Sequence, residues 1–193
     1  MEKFYSIQGE GFHQGKAAYF IRTAGCDVGC SWCDVKESWE VEKEQFIKID
    51  EIIEELRSLP CSFSVITGGE PLIYNMDVLT DRIHDLGVKT HLETSGTYPL
   101  SGKWDWICFS PKRFKKPLDI YYEFASELKV VISRPNDLRW AQKHAEQVNE
   151  NCVLFLQPEW SVSDQILPDI IDFVKENPEW NISLQLHKYL DVR

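Results

Sequence analysis

No stretch of this 193-residue chain approaches the roughly 18 apolar residues that a membrane span requires, so no spanning segment is expected. Positive charge is also scarce: 21 Lys and Arg stand against 31 Asp and Glu, a formal charge of −10. Phosphate-backbone binding relies on clustered Lys and Arg, so a direct nucleic-acid partner is not expected. The one dense basic stretch, Lys112, Arg113, Lys115 and Lys116, reads by default as a solvated loop. Six cysteines are too sparse for a disulfide-stapled secreted scaffold, and no secretory signal is evident, so a cytoplasmic setting is the expectation. Repeats, low-complexity tracts and dividing linkers are lacking as well. The chain therefore reads as one domain, 1–193, long enough to bury a full core.

What the chain has is an alternation of apolar runs with amphipathic stretches. Ala18 to Thr23, Phe63 to Thr67, Val88 to Glu93, Trp106 to Phe109, Leu128 to Ile132, Val153 to Leu156 and Ile182 to Leu186 predict strands. Several are nearly continuous in apolar residues, as buried parallel strands are. Ile49, Ile52, Ile53, Leu56 and Leu59 recur at helical spacing, as do Met76, Leu79, Ile83 and Leu86, and Ile166, Ile170, Phe173 and Val174. Asp50, Asn75 and Ser163 predict helix starts, and Gly87 a stop. This alternation predicts an α/β fold with a mostly parallel sheet, and the shortage of clear helices predicts an incomplete, TIM-like barrel. Ligands in such folds sit at the carboxyl ends of the strands. The distinctive motifs fall there: Cys26, Gly68-Gly69-Glu70-Pro71, Glu93-Thr94-Ser95-Gly96, Ser110-Pro111-Lys112 and Gln157-Pro158-Glu159.

Cys26, Cys30 and Cys33 form a C-x3-C-x2-C set. Three thiolates so spaced suit one cubic 4Fe-4S cluster and leave its fourth iron open, whereas clusters and structural zinc sites are normally closed by four protein ligands. A zinc site completed by His13, Cys61 or a distant residue is the alternative. Cys61, Cys108 and Cys152 lie in or beside apolar segments and read as core. Gly68 and Gly69 would bring backbone close to whatever occupies the mouth, and Glu70 adds a carboxylate.

The cysteine spacing and the G-G-E-P motif resemble those of the radical S-adenosylmethionine enzymes. In these the open iron takes the methionine portion of the cofactor before reductive cleavage to a 5′-deoxyadenosyl radical. The resemblance implies that Gly69 and Glu70 contact the methionine ammonium, that Trp32 lies near the adenine and Asp34 beside the cofactor, and that Ser95, Ser110, Lys112 and Gln157 hold its ribose, adenine or carboxylate. A narrower resemblance starts at Phe4-Tyr5-Ser6-Ile7-Gln8-Gly9-Glu10-Gly11, adds Arg22 four residues before Cys26, and includes Trp32-Cys33-Asp34. It continues through Ile66 to Leu72, Glu93 to Gly96, Ser110 to Lys112, Leu128-Lys129-Val130 and Leu156-Gln157-Pro158. Together these are similar to the 7-carboxy-7-deazaguanine synthase family.

That likeness implies a lyase of queuosine or related deazapurine precursor synthesis, contracting 6-carboxy-5,6,7,8-tetrahydropterin to 7-carboxy-7-deazaguanine with loss of ammonia. It implies a small-molecule pterin substrate, an electron donor such as flavodoxin or ferredoxin, and a homodimer. Arg22 would pair with the substrate carboxylate, while Gln8, Glu10 and the Ile7 to Gly9 backbone would read the pterin edge and Thr67 would contact substrate. Rival readings stand beside these: Arg22 in a structural ion pair, Gln8 and Glu10 in a solvated loop, Thr67 bonded locally. No residue is assigned as catalytic, because the cofactor carries the radical chemistry. His187 and Lys188 receive no role. Family members with a magnesium site carry threonine two residues after the third cysteine; here Val35 offers only its main-chain carbonyl, so Mg²⁺ is a candidate with no residue assigned. An activase making a glycyl radical on a partner protein, and a non-catalytic metal-binding module, are the alternative functions.

Overall fold

The computed structural model describes residues 2–193. One sheet runs in sequential order through β1 (Glu2–Ile7), β2 (Ala17–Thr23), β3 (Phe63–Gly68), β4 (Lys89–Thr94), β5 (Trp106–Phe109), β6 (Glu127–Ile132), β7 (Val153–Pro158) and β8 (Trp180–Ile182). β1 is antiparallel to β2, and every later neighbouring pair is parallel. β1 and β8 are the two edges, so the barrel is open, as the strand-helix count predicts. Across the opening, the segment after β8 returns to the loop after β1. Leu186 N–H donates to Gly9 O at 2.9 Å, and Gly11 N–H donates to Ser183 Oγ at 2.9 Å.

Side chains alternate between the two faces of a strand, and here the faces differ in chemistry. Ile66, Leu92, Ile107, Phe109, Leu128, Val130, Ile132 and Leu156 share one core cluster with Ile52, Ile53 and Leu56 of α1 (Ile49–Arg57), Leu79 and Ile83 of α2 (Asp77–His84), Ala141 of the helix Asn136–Ala145, and Ile166 and Ile170 of the helix Ser163–Glu176. Burying that face against helices supplies most of the apolar burial, at roughly 25 cal/mol per Å². On the opposite face Phe4, Ala18, Phe20, Phe63 and Val65 form a separate small apolar cluster under the first three strands. Farther along this face turns polar, with His91, Glu93, Cys108, Glu127 and Lys129 at the inward positions of β4, β5 and β6.

Several elements depart from the sequence reading. β1 was not expected as a strand, because Glu2, Lys3 and Ser6 interrupt its apolar residues and only Phe4 among them is buried. The last strand lies at Trp180–Ile182 rather than over Ile182 to Leu186; the chain leaves the sheet where buried Ser183 donates to Gln157 Oε1 at 2.9 Å. Helices α3 (Ile120–Phe124), α4 (Asn136–Ala145) and α6 (Leu186–Leu190) also lay outside the prediction, while the remaining long helix is α5 (Ser163–Glu176). α4 is polar enough that its apolar period is faint. Of the expected starts, Ser163 opens α5, Asp50 falls in the first turn of α1, and Asn75 Oδ1 accepts from the Asp77 N–H at 2.9 Å at the start of α2. α2 ends at His84, short of Gly87. Cys108 is buried, whereas Cys61 and Cys152 are half-buried at the edge of the core.

Candidate active site

The loop leaving β2 carries the three cysteines. It is pinned at both ends: Gly25 N–H donates to Ser38 O at 2.7 Å and Cys26 N–H to Trp39 O at 3.3 Å, while Cys33 N–H closes a turn on Cys30 O at 3.0 Å. All three thiols are free, with Cys30 buried and Cys26 and Cys33 half-buried. Burial pushes the Cys30 thiol up to about 11, opposed by the nearby Lys112 charge, and burial likewise raises Cys26. Thiolates at this place need a stronger positive partner, which metal ions supply. The zinc alternative loses its named fourth ligands. Cys61 Sγ donates to Phe63 O at 2.8 Å, and His13 packs among Phe63, His91 and Trp106, so neither reaches the cavity that the three cysteines line.

The glycine pair serves this loop directly. Gly69 N–H donates to Thr23 O at 2.9 Å and Glu70 N–H to Gly25 O at 2.8 Å, so the end of β3 continues to pair with the chain entering the cysteine loop. A Cβ on Gly69 would lie 2.1 Å from Gly25 O, and Gly68 holds φ +126° against the Thr23 backbone. The close approach is therefore to protein backbone as well as to the mouth. Glu70 is buried, and its carboxylate accepts from Thr94 Oγ1 at 2.7 Å, Ser95 N at 2.8 Å, Ser95 Oγ and Leu72 N. It ties the ends of β3 and β4 together beneath the cysteines.

A cavity of about 280 Å³ opens at the carboxyl ends of the strands, and it is lined by every residue that the sequence offers as a cluster, cofactor or substrate contact. On one side Trp32 lies under Lys112, whose Nζ is 5.7 Å from the ring and donates to Ser110 O at 2.7 Å; Ser95 and Gln157 also line the cavity. On the other, Lys129 Nζ donates to Glu10 Oε2 at 2.7 Å and Glu93 Oε2 at 2.8 Å. Gln8 Nε2 reaches Glu93 Oε1 at 3.5 Å and Gln8 Oε1 accepts from the Glu10 N–H, while Gln185 Nε2 donates to the other Glu10 oxygen at 2.9 Å. Burial works against ionisation of Glu10, but the Lys129 charge and hydrogen bonds from Lys129 and Gln185 outweigh it and lower its carboxyl to about 2. Burial likewise opposes the Lys129 charge, yet Cys108, Glu10, Glu93 and Glu127 hold it well above the usual amine range.

Arg22 lines the cavity with Phe4 beneath its guanidinium, but its Nη1 donates to Glu2 Oε1 at 2.6 Å, so the structural ion pair has a named partner. Asp34 Oδ2 accepts from Lys188 Nζ and Gln185 Nε2, both at 3.2 Å. The Val35 carbonyl accepts from both Ser38 N at 3.0 Å and Ser38 Oγ at 2.6 Å. With that oxygen doubly engaged and Asp34 facing an ammonium, these residues do not fit a magnesium site, which wants several free oxygen ligands. Lys129, Glu93, Gln185 and His187 line the cavity without having been assigned from sequence. The first two carried a readable signal, a charged residue at the inward parity of an apolar strand.

Residues 20–111 match the family model of the radical SAM superfamily. Over its full length the chain is 52% identical to 7-carboxy-7-deazaguanine synthase of Flavobacterium psychrophilum, covering 91% of that protein, and 43% identical to the Synechocystis enzyme of the same name, covering 92% of it. The chain belongs to the 7-carboxy-7-deazaguanine synthase family. The crystal structure of QueE from Escherichia coli superposes on it with a TM-score of 0.82 at 30% identity, over 96% of this chain and 92% of that one. Membership in the 7-carboxy-7-deazaguanine synthase family sets aside the glycyl-radical activase and the non-catalytic metal module. The family fold is the open, mostly parallel barrel described above, and no helix among the described residues is long and apolar enough to cross a membrane.

Proposed function

We propose that this chain catalyses the reaction for which its family is named, converting 6-carboxy-5,6,7,8-tetrahydropterin to 7-carboxy-7-deazaguanine and ammonia. The single observation that carries the residue assignments is the shared cavity: the cysteines, the G-G-E-P acid and the amino-terminal polar segment line one mouth. Cys26, Cys30 and Cys33 would hold the 4Fe-4S cluster, and S-adenosylmethionine bound at its open iron would supply the hydrogen-abstracting radical. Trp32, Asp34, Gly69, Glu70, Ser95, Ser110, Lys112 and Gln157 are the residues assigned to that cofactor's place.

The other side of the cavity suits a fused, hydrogen-bonding ring. Lys129 keeps Glu10 ionised, so that carboxylate can accept from the amino and ring N–H groups on a pterin edge; Glu93 stands on the same ammonium as a second acceptor. Gln8 braces the pair and offers its own amide. Arg22 is the cation for the substrate carboxylate, with Glu2 as the partner that orients it or is displaced. Thr67 and the Ile7 to Gly9 backbone complete the wall. Substrate atoms equal those of the product plus ammonia, so the protein must bind, orient and exclude water rather than provide a net oxidant.

Mg²⁺ has no protein-held place in this reading. A homodimer and an electron donor of the flavodoxin or ferredoxin kind belong to it through family likeness, and the cytoplasm is its expected setting. The test is anaerobic reconstitution followed by turnover with the carboxytetrahydropterin. Formation of 7-carboxy-7-deazaguanine with stoichiometric ammonia is expected; a loaded enzyme that cleaves S-adenosylmethionine but leaves this pterin unchanged contradicts the substrate assignment.

A further inference from the structure

Three neighbouring strands place chemically active side chains in one row inside the sheet. Glu93 of β4 is in register with Cys108 of β5, and Cys108 with Glu127 of β6, so all three share the inward face. One ligand atom from each, a carboxylate oxygen or the Cys108 sulfur, lies within 4.8 Å of the others. Cys108 and Glu127 are fully buried, and neither has a part in binding the cofactor or the pterin.

His91, two residues before Glu93 on the same face of β4, adds an imidazole to the row. It is 1% exposed, and its Nε2 lies 3.6 Å from Glu93 Oε1. Among the described residues neither of its ring nitrogens has a hydrogen-bond partner. Buried polar groups are normally bonded, so an imidazole left open beside a thiol and two carboxylates calls for a ligand. Burial keeps the ring neutral, which is the form that binds metal. Glu127 Oε1 is unpartnered too, while its Oε2 accepts from the Phe12 N–H at 3.0 Å and the Trp106 indole N–H at 2.9 Å. Charge is also unbalanced, because Glu10, Glu93 and Glu127 all act on the one ammonium of Lys129. A trapped water would satisfy the nitrogens but add no positive charge.

We propose that His91, Glu93, Cys108 and Glu127 bind one zinc ion, in a structural site separate from the three cysteines of the loop after β2. One nitrogen, one sulfur and two oxygens make a closed tetrahedral set of the kind zinc takes. Zinc bonds of about 2.0–2.3 Å require the donors to draw together by about 1 Å. The ion replaces the Cys108 thiol proton, which leaves to solvent, and any proton on Glu127, whose carboxyl burial pushes up. Through Glu93 it braces the carboxylate that Lys129 holds at 2.8 Å, and through Glu127 it fixes the backbone at Phe12. Sheet and amino-terminal loop thereby share one anchor. The site depends on neither the cluster nor the substrate assignment.

The test uses the full chain produced in zinc-supplemented medium, reconstituted anaerobically with iron and sulfide, and desalted. About one zinc per chain should remain, and zinc X-ray absorption should show a single sulfur among nitrogen and oxygen neighbours. A chain with Cys26→Ser, Cys30→Ser and Cys33→Ser combined should hold the same zinc with the same surroundings, although it has no cluster. Cys108→Ser and Glu127→Gln, both close in shape to the native residues, should lower retained zinc by about tenfold or more while circular dichroism of the sheet persists. The absorption result on the unaltered chain stands even where a variant fails to fold. Zinc surrounded by three sulfurs, which would place it in the cysteine loop, overturns the site. So does a chain that retains no zinc, or a folded Cys108→Ser variant that retains as much as the parent.

Discussion

Lys129 on β6 reaches across β5 to within 2.8 Å of the Glu93 carboxylate on β4, and the same ammonium holds Glu10 of the amino-terminal loop at 2.7 Å. One buried cation therefore connects the sheet to the segment that closes its open edge. Replacing it with Met leaves two carboxylates facing each other in a largely dehydrated space. Breaking a buried pair in this way costs about 3–5 kcal/mol. Denaturant unfolding of the Lys129→Met apo chain at neutral pH should show a loss of that order, and a change under 1 kcal/mol would mean that water already screens the pair.

The pH dependence has a definite sign. Glu10 is held at about 2 in the folded chain against an ordinary 4.5, so its stabilising contribution is fully present above about 4.5 and is lost as pH falls toward 2. Glu10→Gln should flatten that part of the stability curve. Unfolding free energies measured at several acidic pH values check this, and equal slopes for variant and wild type would refute the charge assignment.

Gly69→Ala places a methyl 2.1 Å from Gly25 O, with backbone rather than a flexible side chain as the obstacle. The loop must move, at a cost of roughly 1–3 kcal/mol by analogy with overpacking. Iron and sulfide retained after anaerobic reconstitution should drop severalfold while circular dichroism of the sheet persists. Full cluster loading would show that the loop yields easily.

Turnover should not depend on magnesium, because the Val35 carbonyl is occupied by Ser38. Chelation with EDTA followed by Mg²⁺ addition should leave the rate unchanged in this chain. In the Val35→Thr variant, a newly acquired Mg²⁺ response would identify position 35 as the determinant; a strong Mg²⁺ requirement in the unmodified chain contradicts the argument.

The parts of the structure most legible in sequence were those where chemistry and backbone geometry coincide. Cys26, Cys30, Cys33, Gly69 and Glu70 stand out because their types and spacing are hard to explain otherwise, and the buried parallel strands announce themselves as apolar runs. β1 was hidden because an antiparallel edge needs only one buried face, and Phe4 alone supplies it. Gln185 and His187 escaped because they enter the site from a segment after β8 whose place is set by the return to Gly9, a contact between the two ends of the chain. Lys129 and Glu93 were within quoted motifs, yet their roles depend on pairing across three strands, which register alone reveals.

The account's central claim is a cluster held by three cysteine thiolates with one iron left to bind S-adenosylmethionine. The most direct measurement is electron–nuclear double resonance on anaerobically reduced holoenzyme, using S-adenosylmethionine labelled with ¹⁵N at its amino group. A hyperfine coupling from the label, appearing with a changed cluster signal on cofactor addition, is the predicted result. A cluster signal indifferent to the cofactor and carrying no nitrogen coupling would contradict it.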